Sequence, residues 1–458
     1  VPSAAVLHEW VSQRAKTDTL EAYATDWLDG NRPETATAAL LRRDLPQFRD
    51  KGGPVGGVFT DDIDDMCRWV TQLDTAVVGI QGPPGAGKTY SATHLIYTLI
   101  TAGQRVGITA TSHHAIINVL RGVVAVFAEK NQLELLRGVY KPAAGSNPAL
   151  PGIDVVDKNP ASADPEYNLV AGTTWLFASS AMQAAPPVDV LLIDEAGQMS
   201  LADAAVASTG ARNVILLGDP LQLPQVAQAS HPGHSGLSVL DYLLGEATTM
   251  PSERGVFLST TYRMHPYVCQ FISTQIYQGR LTSADSCLQQ NTAVGTGLRW
   301  LRAEHTGRST FSPEEADLVA KQISALIGTP WTNQHGEQNP LTTSDFMVVV
   351  PYNDQVRTVK QRLASEPALN GVRVGTVDKF QGGEAAVVLF SMTASSRDNI
   401  TRGVDFLFSR HRLNVAVSRA RCLAYLICTE DLLNARARDV DEMRLIGTVS
   451  AYVEAATP

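Results

Sequence analysis

The chain has 458 residues, of which 44% are hydrophobic and 18% charged, and its formal net charge is −9. This length predicts two to four domains that can each bury a core, and the composition is typical of a soluble globular protein. The net charge excludes a protein coated in basic patches, although a local groove can still bind nucleic acid. No apolar run approaches the ~20 residues needed to cross a bilayer, so we expect no membrane partner.

The five cysteines are scattered along the chain and include no C-x-x-C pair. Their spacing argues against a zinc ribbon or an iron–sulfur cluster and fits a reducing cytoplasm, where we expect the protein to reside. Cys422 and Cys428 lie at the two ends of an apolar run, so we expect both in the core. The chain starts Val1-Pro2-Ser3, without an initiator Met or a signal core, and we expect a segment upstream of it.

Residues 1–55 are predicted to form a helical extension that carries no visible chemistry. Glycines and a proline at 52–57 indicate the linker that ends it. The expected helices of this extension are 4–14, 20–28 and 34–42.

A further helix is predicted just after the linker. Thr60 is expected to be its N-cap, with Asp61 and Asp62 in its first turn. Its buried face is predicted to consist of Ile63, Met66, Cys67 and Val70.

From residue 76 onward, short apolar strands alternate with helical stretches, which indicates parallel sheets covered by helices and an α/β fold class. The segment 141–167, rich in Pro, Ala and Asp, is interpreted as part of an insertion at about 125–168. The two α/β halves suggest two similar sheets that face each other. The expected strands are 76–81, 105–111, 189–193, 214–217, 346–350, 372–377, 386–391 and 423–428.

A glycine-rich turn joins the first strand to a helix expected over 90–99. The sequence G-x-x-x-x-G-K-[ST] in this context predicts a phosphate site, because glycine lets backbone N–H groups close around phosphates at a helix N-terminus. Lys88 is expected to reach the β- and γ-phosphates, and the Thr89 hydroxyl to hold Mg²⁺. A glycine turn without a ligand is the alternative, and the lysine, the threonine and both flanks argue against it. The predicted nucleotide-binding residues are Gly82, Pro83, Pro84, Gly85, Ala86, Gly87, Lys88, Thr89 and Tyr90.

Two acids follow the apolar strand that ends at Ile193. Asp194 is predicted to hold Mg²⁺ directly or through a water, and Glu195 to polarise the attacking water as general base. The strand 214–217 leads into a turn that contains Gln222, whose amide is expected to sense the γ-phosphate. A plain β-turn around Asp219-Pro220 is the alternative for that turn.

These stretches, continued in order by four more, resemble the superfamily 1 helicases. The Asp-Glu-Ala-x-Gln form of the acidic pair resembles their up-frameshift-like branch. The match covers residues 76–430 and implies two RecA-like domains with mostly parallel sheets, at 56–255 and 256–458. The later stretches are Thr261-Tyr262-Arg263-Met264-His265-Pro266, Val350-Pro351-Tyr352-Asn353-Asp354-Gln355, Val374 to Glu384 and Arg412 to Arg421.

Phosphoryl transfer needs positive charge on the γ-phosphate oxygens in the transition state. Arg263 and Arg419 are expected to supply it from the second half once the halves close on ATP. Arg412 and Arg419 are seven residues apart, so two turns of one helix are predicted to place them on one face. The resemblance implies that Tyr262 stacks on adenine and that Glu384 contacts the ribose or a phosphate.

Short hydroxyl donors at strand ends suit phosphate contacts, which carry no sequence information. A basic run in the second half is expected to line the cleft that binds the nucleic-acid strand. The run consists of Arg397, Arg402, Arg410, Arg412, Arg419 and Arg421. The predicted nucleic-acid contacts are Thr109, Thr111, Ser112, His113, Thr173, Thr174, Pro351, Tyr352, Thr376 and Asp378.

The chain departs from this branch in two ways. The helix before the phosphate loop contains no Gln to read adenine, since Gln72 follows the helix and stands too close to the loop. The β-barrel insertion of the branch has no counterpart long enough here. The first departure weakens the preference for ATP, and the second affects strand-splitting accessories but not the motor.

Two stretches, 171–177 and 406–414, are also similar to the C-terminal half of bacterial proteins that fuse a RecB-like nuclease to a helicase. No nuclease motif is visible in the chain, so any nuclease would lie upstream. We therefore predict an ATP- and Mg²⁺-dependent helicase or translocase on a single strand, with DNA favoured over RNA and movement 5′→3′ implied by the resemblance. The alternative is a nucleic-acid-stimulated ATPase switch that remodels or recruits partners without unwinding. A small-molecule kinase fails to explain Arg263, Arg419 and the second sheet.

Overall fold

A computed structural model describes residues 12–30, 34–143, 148–225, 231–380 and 382–456. The chain forms two compact units. The first comprises Val1–Gln81, Lys88–Pro220 and Gln225–Phe257, and the second Gly82–Gly87, Leu221–Pro224 and Leu258–Pro458.

The first unit is built on one parallel sheet, which contains eight strands among its described residues. Their order is β4-β3-β5-β2-β6-β7-β1-β8, so strands distant in sequence lie side by side. Because every pairing is parallel, the carboxyl ends of these strands share one edge of the sheet. The strands are β1 Val77–Gln81, β2 Val106–Ala110, β3 Gly138–Tyr140, β4 Ile153–Val155, β5 Leu169–Ala171, β6 Val188–Asp194, β7 Ala211–Gly218 and β8 Gly255–Phe257.

Helices pack around this sheet and complete the first unit. Nearly every side chain of β1, β2 and β7 is buried, as expected for a sheet covered on both faces. The helices are α1 Arg14–Leu28, α2 Ala36–Arg42, α3 Ile63–Val70, α4 Lys88–Thr101, α5 His113–Glu129, α6 Asn159–Ser162, α7 Thr174–Phe177, α8 Ser180–Ala184, α9 Leu201–Ser208 and α10 Val239–Leu244.

The described part of residues 1–55 contains the helices α1 and α2. The helix expected over 20–28 is longer and begins at Arg14, and most of the one expected over 4–14 lies outside the described residues. The predicted N-cap Thr60 is wrong, because the Asp62 carboxylate accepts the amides of Asp64 and Asp65. The prediction of the buried face of α3 is also partly wrong. It is formed by Asp65, Met66, Trp69 and Val70, whereas Ile63 and Cys67 are half-buried.

The segment interpreted as an insertion contributes to the sheet. Strands β3 and β4 both lie within 125–168, and they extend the sheet beyond β5. At three residues each, they are too short for a clear apolar pattern.

The second unit contains a smaller parallel sheet of five strands in its described part, in the order β12-β18-β17-β15-β16. Two minor sheets are also present, one of two strands in the order β10-β9 and one of three strands in the order β11-β13-β14. The strands are β9 Thr260–Thr261, β10 Thr282–Ser283, β11 Asn291–Thr292, β12 Gly297–Arg302, β13 Pro330–Thr332, β14 Gln338–Pro340, β15 Phe346–Val350, β16 Arg373–Thr376, β17 Ala385–Ser391 and β18 Ala420–Cys428.

Helices also cover the second sheet. Its core includes Val348, Leu389, Tyr425 and the two cysteines predicted to be buried, Cys422 and Cys428. The helices are α11 Pro266–Ile276, α12 Pro313–Leu326, α13 Asn353–Ala364, α14 Val404–Leu407, α15 Arg410–Val417, α16 Glu430–Leu433 and α17 Val440–Ala455. Single 3₁₀ turns occur at Arg49–Lys51, Val55–Gly57, Leu133–Leu135, Ala196–Gln198, Asp285–Gln289, Thr343–Asp345, Pro367–Leu369, Val377–Phe380 and Arg397–Asn399.

None of the helices in the described ranges is both long enough and apolar enough to cross a membrane.

A buried polar network holds the carboxyl end of β17. The Glu315 carboxylate lies 3.0 Å from His305 Nε2, and both side chains are fully buried. It also accepts the Ser391 hydroxyl at 2.5 Å and the Thr393 amide at 2.9 Å. Thr393 has a φ of +72°, a left-handed conformation that costs energy in a β-branched residue. Glu315 therefore stabilises a strained strand end.

Glu315→Ala is expected to lower the free energy of unfolding by about 3–5 kcal/mol, because it leaves three buried partners without their acceptor. Urea denaturation measures the change. The control is Glu314→Ala, which removes a carboxylate that is 36% exposed and pairs with Arg308 at 2.6 Å. That substitution is expected to cost under about 1 kcal/mol. Equal costs for the two variants would contradict the assigned role of Glu315.

Candidate functional site

The glycine turn lies between β1 and α4, as predicted. Gly85 and Gly87 have φ values of +75° and +84°, which glycine adopts without strain. The Ala86 amide donates to the Pro83 carbonyl at 3.1 Å and closes the turn, and α4 begins at Lys88. Tyr90, on the outer side of α4, is 57% exposed and packs on His94 with ring centroids 4.0 Å apart.

Residues at and just after the end of β9 donate hydrogen bonds to the backbone of the glycine turn. The Thr261 hydroxyl donates to the Pro84 carbonyl at 2.9 Å, and the Tyr262 amide donates to the Gly85 carbonyl at 2.9 Å. The Tyr262 side chain is 57% exposed, so its ring can face a base. A Cβ atom on Gly85 would lie 2.5 Å from the Arg263 Cβ and 2.7 Å from the Thr261 hydroxyl.

Gly85→Ala is therefore expected to weaken nucleotide binding by about tenfold or more, since backbone strain of this kind costs ~1–3 kcal/mol. Titration with a fluorescent nucleotide measures the change. The control is Gly103→Ala, which has a φ of +79° but nothing within 4 Å of its Cβ. An unchanged dissociation constant in Gly85→Ala would contradict a phosphate-binding role for the turn.

The acidic pair occupies the carboxyl end of β6. Burial, followed by the neighbouring Glu195 carboxylate, raises the pKa of Asp194 to about 7, while the Lys88 ammonium acts in the opposite direction. Glu195 has a φ of +53°, and its amide donates to the Asp194 carboxylate at 2.9 Å. A left-handed glutamate is strained, and such strain concentrates at functional sites.

Sequence reasoning missed a buried amide between the neighbouring ends of β1 and β7. Gln81 is fully buried, and its side chain lies 3.4 Å from the Asp219 carboxylate. Its carbonyl oxygen accepts the Met250 amide at 2.7 Å. The available signal was a polar residue at the end of an apolar strand, directly before the glycine turn.

Arg263 lies in an ionic cluster of the second unit. Its guanidinium donates to Glu384 at 2.6 Å and to the Ser418 carbonyl at 3.2 Å, and its side chain is 11% exposed. The other Glu384 oxygen accepts from Arg421. Burial alone would raise the pKa of Glu384, but the Arg263 and Arg421 guanidinium groups outweigh it and hold that pKa below its usual value. Glu384, predicted to contact nucleotide, is thus engaged by two arginines.

Arg419 is 2% exposed and contacts the predicted sensor Gln222. Its guanidinium donates to the Gln222 side-chain oxygen and to the Gly383 carbonyl, both at 3.3 Å. His411 donates to the Gln222 carbonyl at 2.6 Å. The predicted pairing of Arg412 with Arg419 on one helical face is wrong. Helix α15 ends at Val417, because the chain then enters β18 and pairs with β17.

The predicted nucleic-acid contacts of the first unit lie within or just after β2 and just after β5. Thr111 and Ser112 are exposed, and the Ser112 hydroxyl caps α5. His113 is half-buried, with Nδ1 2.8 Å from the Tyr140 hydroxyl, and burial followed by the nearby Lys141 lowers its pKa. Two of the predicted contacts are buried and one is half-buried. They are Thr109 at 0% exposure, Thr174 at 4%, and Thr173.

The predicted contacts of the second unit lie just after β15 and at or just after the end of β16. Pro351 is buried and Tyr352 is only 7% exposed, whereas the Asp378 side chain is 58% exposed. Thr376 is half-buried. Glu384 and Arg419 precede β17 and β18 and so lie at the opposite, amino-terminal edge of the same parallel sheet. Within this unit, the predicted nucleic-acid contacts and the predicted ATP-site residues therefore lie at opposite edges of the sheet.

Thr89 and Asp194 fit the part of a magnesium site that a protein supplies to a bound nucleotide. Mg²⁺ prefers oxygen ligands and in such sites uses one or two protein groups together with phosphates and waters. The described residues contain no cluster of three or more His, Cys, Asp or Glu that could hold a metal without a nucleotide.

Two family models match the chain. Both are described as an AAA domain, one matching residues 64–235 and the other residues 238–431. The matches place one nucleoside-triphosphatase-type domain in each half of the chain.

Curated relatives are similar over most of the chain. The DNA replication ATP-dependent helicase/nuclease JHS1 of Arabidopsis thaliana is 25% identical over 78% of this chain, which spans 27% of that protein. The DNA polymerase alpha-associated DNA helicase A of Schizosaccharomyces pombe is 26% identical over 75% of this chain and 59% of its own length. The DNA-binding protein SMUBP-2 of Rattus norvegicus is 31% identical over 54% of this chain and 26% of its own length.

A glycine turn at the start of a helix, an acidic pair at the end of another strand of the same sheet and two parallel sheets define a P-loop nucleoside triphosphatase with RecA-like domains. The family matches and the relatives agree with this class. The two AAA-domain matches and the helicase names of the relatives confirm the predicted resemblance to the superfamily 1 helicases of the up-frameshift-like branch.

Proposed function

We propose that the chain hydrolyses ATP at the glycine turn. The observation that carries this proposal is the acidic pair at the end of β6, at the same sheet edge as the turn, with the Lys88 charge acting on Asp194. Lys88 would bind the β- and γ-phosphates, Thr89 and Asp194 would hold Mg²⁺, and Glu195 would take a proton from the attacking water. The metal ion would neutralise charge on the phosphate oxygens.

Arg263, Arg419 and Gln222 would complete the site. Arg419 is already oriented by Gln222 and Gly383, which lowers the cost of ordering it against a phosphate. Arg263 is paired with Glu384 and would exchange that carboxylate for a phosphate oxygen. Tyr262 would stack on the adenine. We also propose domain boundaries near residues 55 and 255.

The work done with this ATP is proposed to be movement along single-stranded nucleic acid. The printed names of the relatives support a helicase, and they favour DNA over RNA. Movement in the 5′→3′ direction, an upstream nuclease segment, a bacterial source and a cytoplasmic location remain predictions. The relatives named above are from eukaryotes, and one is named as a helicase/nuclease.

The alternative is an ATPase switch that responds to nucleic acid without unwinding it. The observation in its favour lies in the described part of residues 1–55, which forms helices where the branch would carry a β-barrel. A motor without that accessory could still track along a strand.

Forked duplexes of both polarities separate the two functions. ATP hydrolysis is first measured with single-stranded DNA and with single-stranded RNA, and unwinding is then measured on forks with a 5′ or a 3′ loading strand. The proposal predicts stimulated hydrolysis and unwinding of the 5′-loaded fork, both lost in Lys88→Ala. Stimulation without unwinding of either fork would select the switch, and hydrolysis that no strand stimulates would contradict both.

A further inference from the structure

The aromatic ring of Phe406, on α14, contacts the guanidinium groups of two arginines. The Arg402 guanidinium carbon is 4.0 Å from the ring centroid, and that of Arg412 is 4.3 Å from it. The Tyr352 ring packs nearby, with centroids 5.7 Å apart and planes 34° apart. Phe406 is itself half-buried, so part of its ring reaches solvent.

The two arginines are held differently. The Arg412 side chain is 19% exposed and also pairs with the Asp378 carboxylate at 3.3 Å. Arg402 is exposed, and its guanidinium lies on the ring in a cation–π contact. An exposed cation–π contact is weaker than the stacking of a nucleobase on an aromatic ring. The ring face under Arg402 is therefore the one that a base can take.

This ring lies at the carboxyl edge of the second sheet, next to the predicted nucleic-acid contacts. Tyr352 follows β15, and Asp378 follows β16. Tyr352 was the aromatic residue that the sequence predicted for strand binding, but at 7% exposure it cannot offer a face to a base. Phe406 packs against Tyr352, is partly exposed and has guanidinium groups beside its ring, the combination that single-strand-binding surfaces use.

We propose that Phe406 is a stacking platform for one base of the bound single strand. Arg402 leaves the ring as the base arrives and binds an adjacent phosphate, while Arg412 stays against the ring, held by Asp378. The platform discriminates little between bases, because every base has a π-face. This inference rests on the proposed function and assigns one subsite of its nucleic-acid surface.

The test combines a ring variant with a strand that lacks bases. Dissociation constants are measured by fluorescence anisotropy for a single-stranded thymidine oligonucleotide and for an abasic strand of the same length. Phe406→Leu keeps an apolar side chain without a π-face, and Phe406→Tyr keeps the ring. Wild type and Phe406→Tyr are expected to prefer the strand with bases, and Phe406→Leu is expected to lose about tenfold in affinity for that strand but less than about twofold for the abasic one.

Arg402→Gln tests the phosphate contact separately. It is expected to weaken both strands equally and to reduce the slope of log K against log salt by ~0.7, the value for one phosphate of a single strand. If Phe406→Leu loses the same affinity for both strands, or loses affinity for neither, the platform is overturned. The proposed function is preserved in that case as long as the wild type binds the strands. Failure of the wild type to bind either strand would overturn both.

Discussion

Arg419→Ala is expected to lower the ATP turnover number by about 10³–10⁵-fold, the contribution of an arginine that stabilises a phosphoryl-transfer transition state. The side chain is 2% exposed, and two hydrogen bonds to Gly383 and Gln222 fix its direction. Ground-state nucleotide binding should change little, because the charge is needed most as negative charge spreads over the γ-phosphate oxygens.

The matched control for this variant is Arg357→Ala. Arg357 is on α13, its side chain is 79% exposed, and it pairs with Asp354 at 3.0 Å. Its removal should leave turnover unchanged, since exposed pairs of this kind contribute little. A loss of less than about threefold in Arg419→Ala would remove this residue from the catalytic site.

Glu195→Gln is expected to reduce hydrolysis by about 10²–10⁴-fold while nucleotide binding is retained. The amide fills the same space but cannot accept a proton from water. The strained backbone at Glu195, with a φ of +53°, fixes where its side chain starts and should be preserved by this isosteric change. Steady-state turnover and nucleotide titration, measured on the same preparation, separate the two effects.

Glu129→Gln provides the control for this second variant. Glu129 is an exposed residue at the end of α5, so neutralising it should not alter turnover. If Glu195→Gln hydrolysed ATP at a rate close to that of the wild type, Glu195 could not be the general base.

The strands that position the site could be predicted from sequence because each is a buried apolar run with a polar residue at its end. The run 189–193 predicted β6 to within one residue at each end, and the turn that follows β1 was predicted with its helix. The order of the strands could not be predicted, because it depends on pairing between distant segments. The three-residue strands β3, β4, β5 and β8 of the first sheet were missed because they are too short for a clear apolar pattern.

The site residues show where local reasoning stops. Seven-residue spacing placed Arg412 and Arg419 on one helix, but strand pairing of Ala420 with Ala385 ends that helix first. Motif resemblance indicated Tyr352 as a strand contact, yet tertiary packing buries it. Phe406 could have been noticed as an aromatic residue inside a basic run, but its contacts with two guanidinium groups required the fold.

We propose that Lys88 and Arg419 act on one triphosphate. The most direct test is the binding of ADP with aluminium fluoride and Mg²⁺, which imitates the transferring phosphoryl group, by wild type, Lys88→Ala and Arg419→Ala. We predict that both variants lose affinity for this complex by orders of magnitude and that Arg419→Ala still binds ADP alone. Binding of the complex by Arg419→Ala as tightly as by the wild type would contradict the claim.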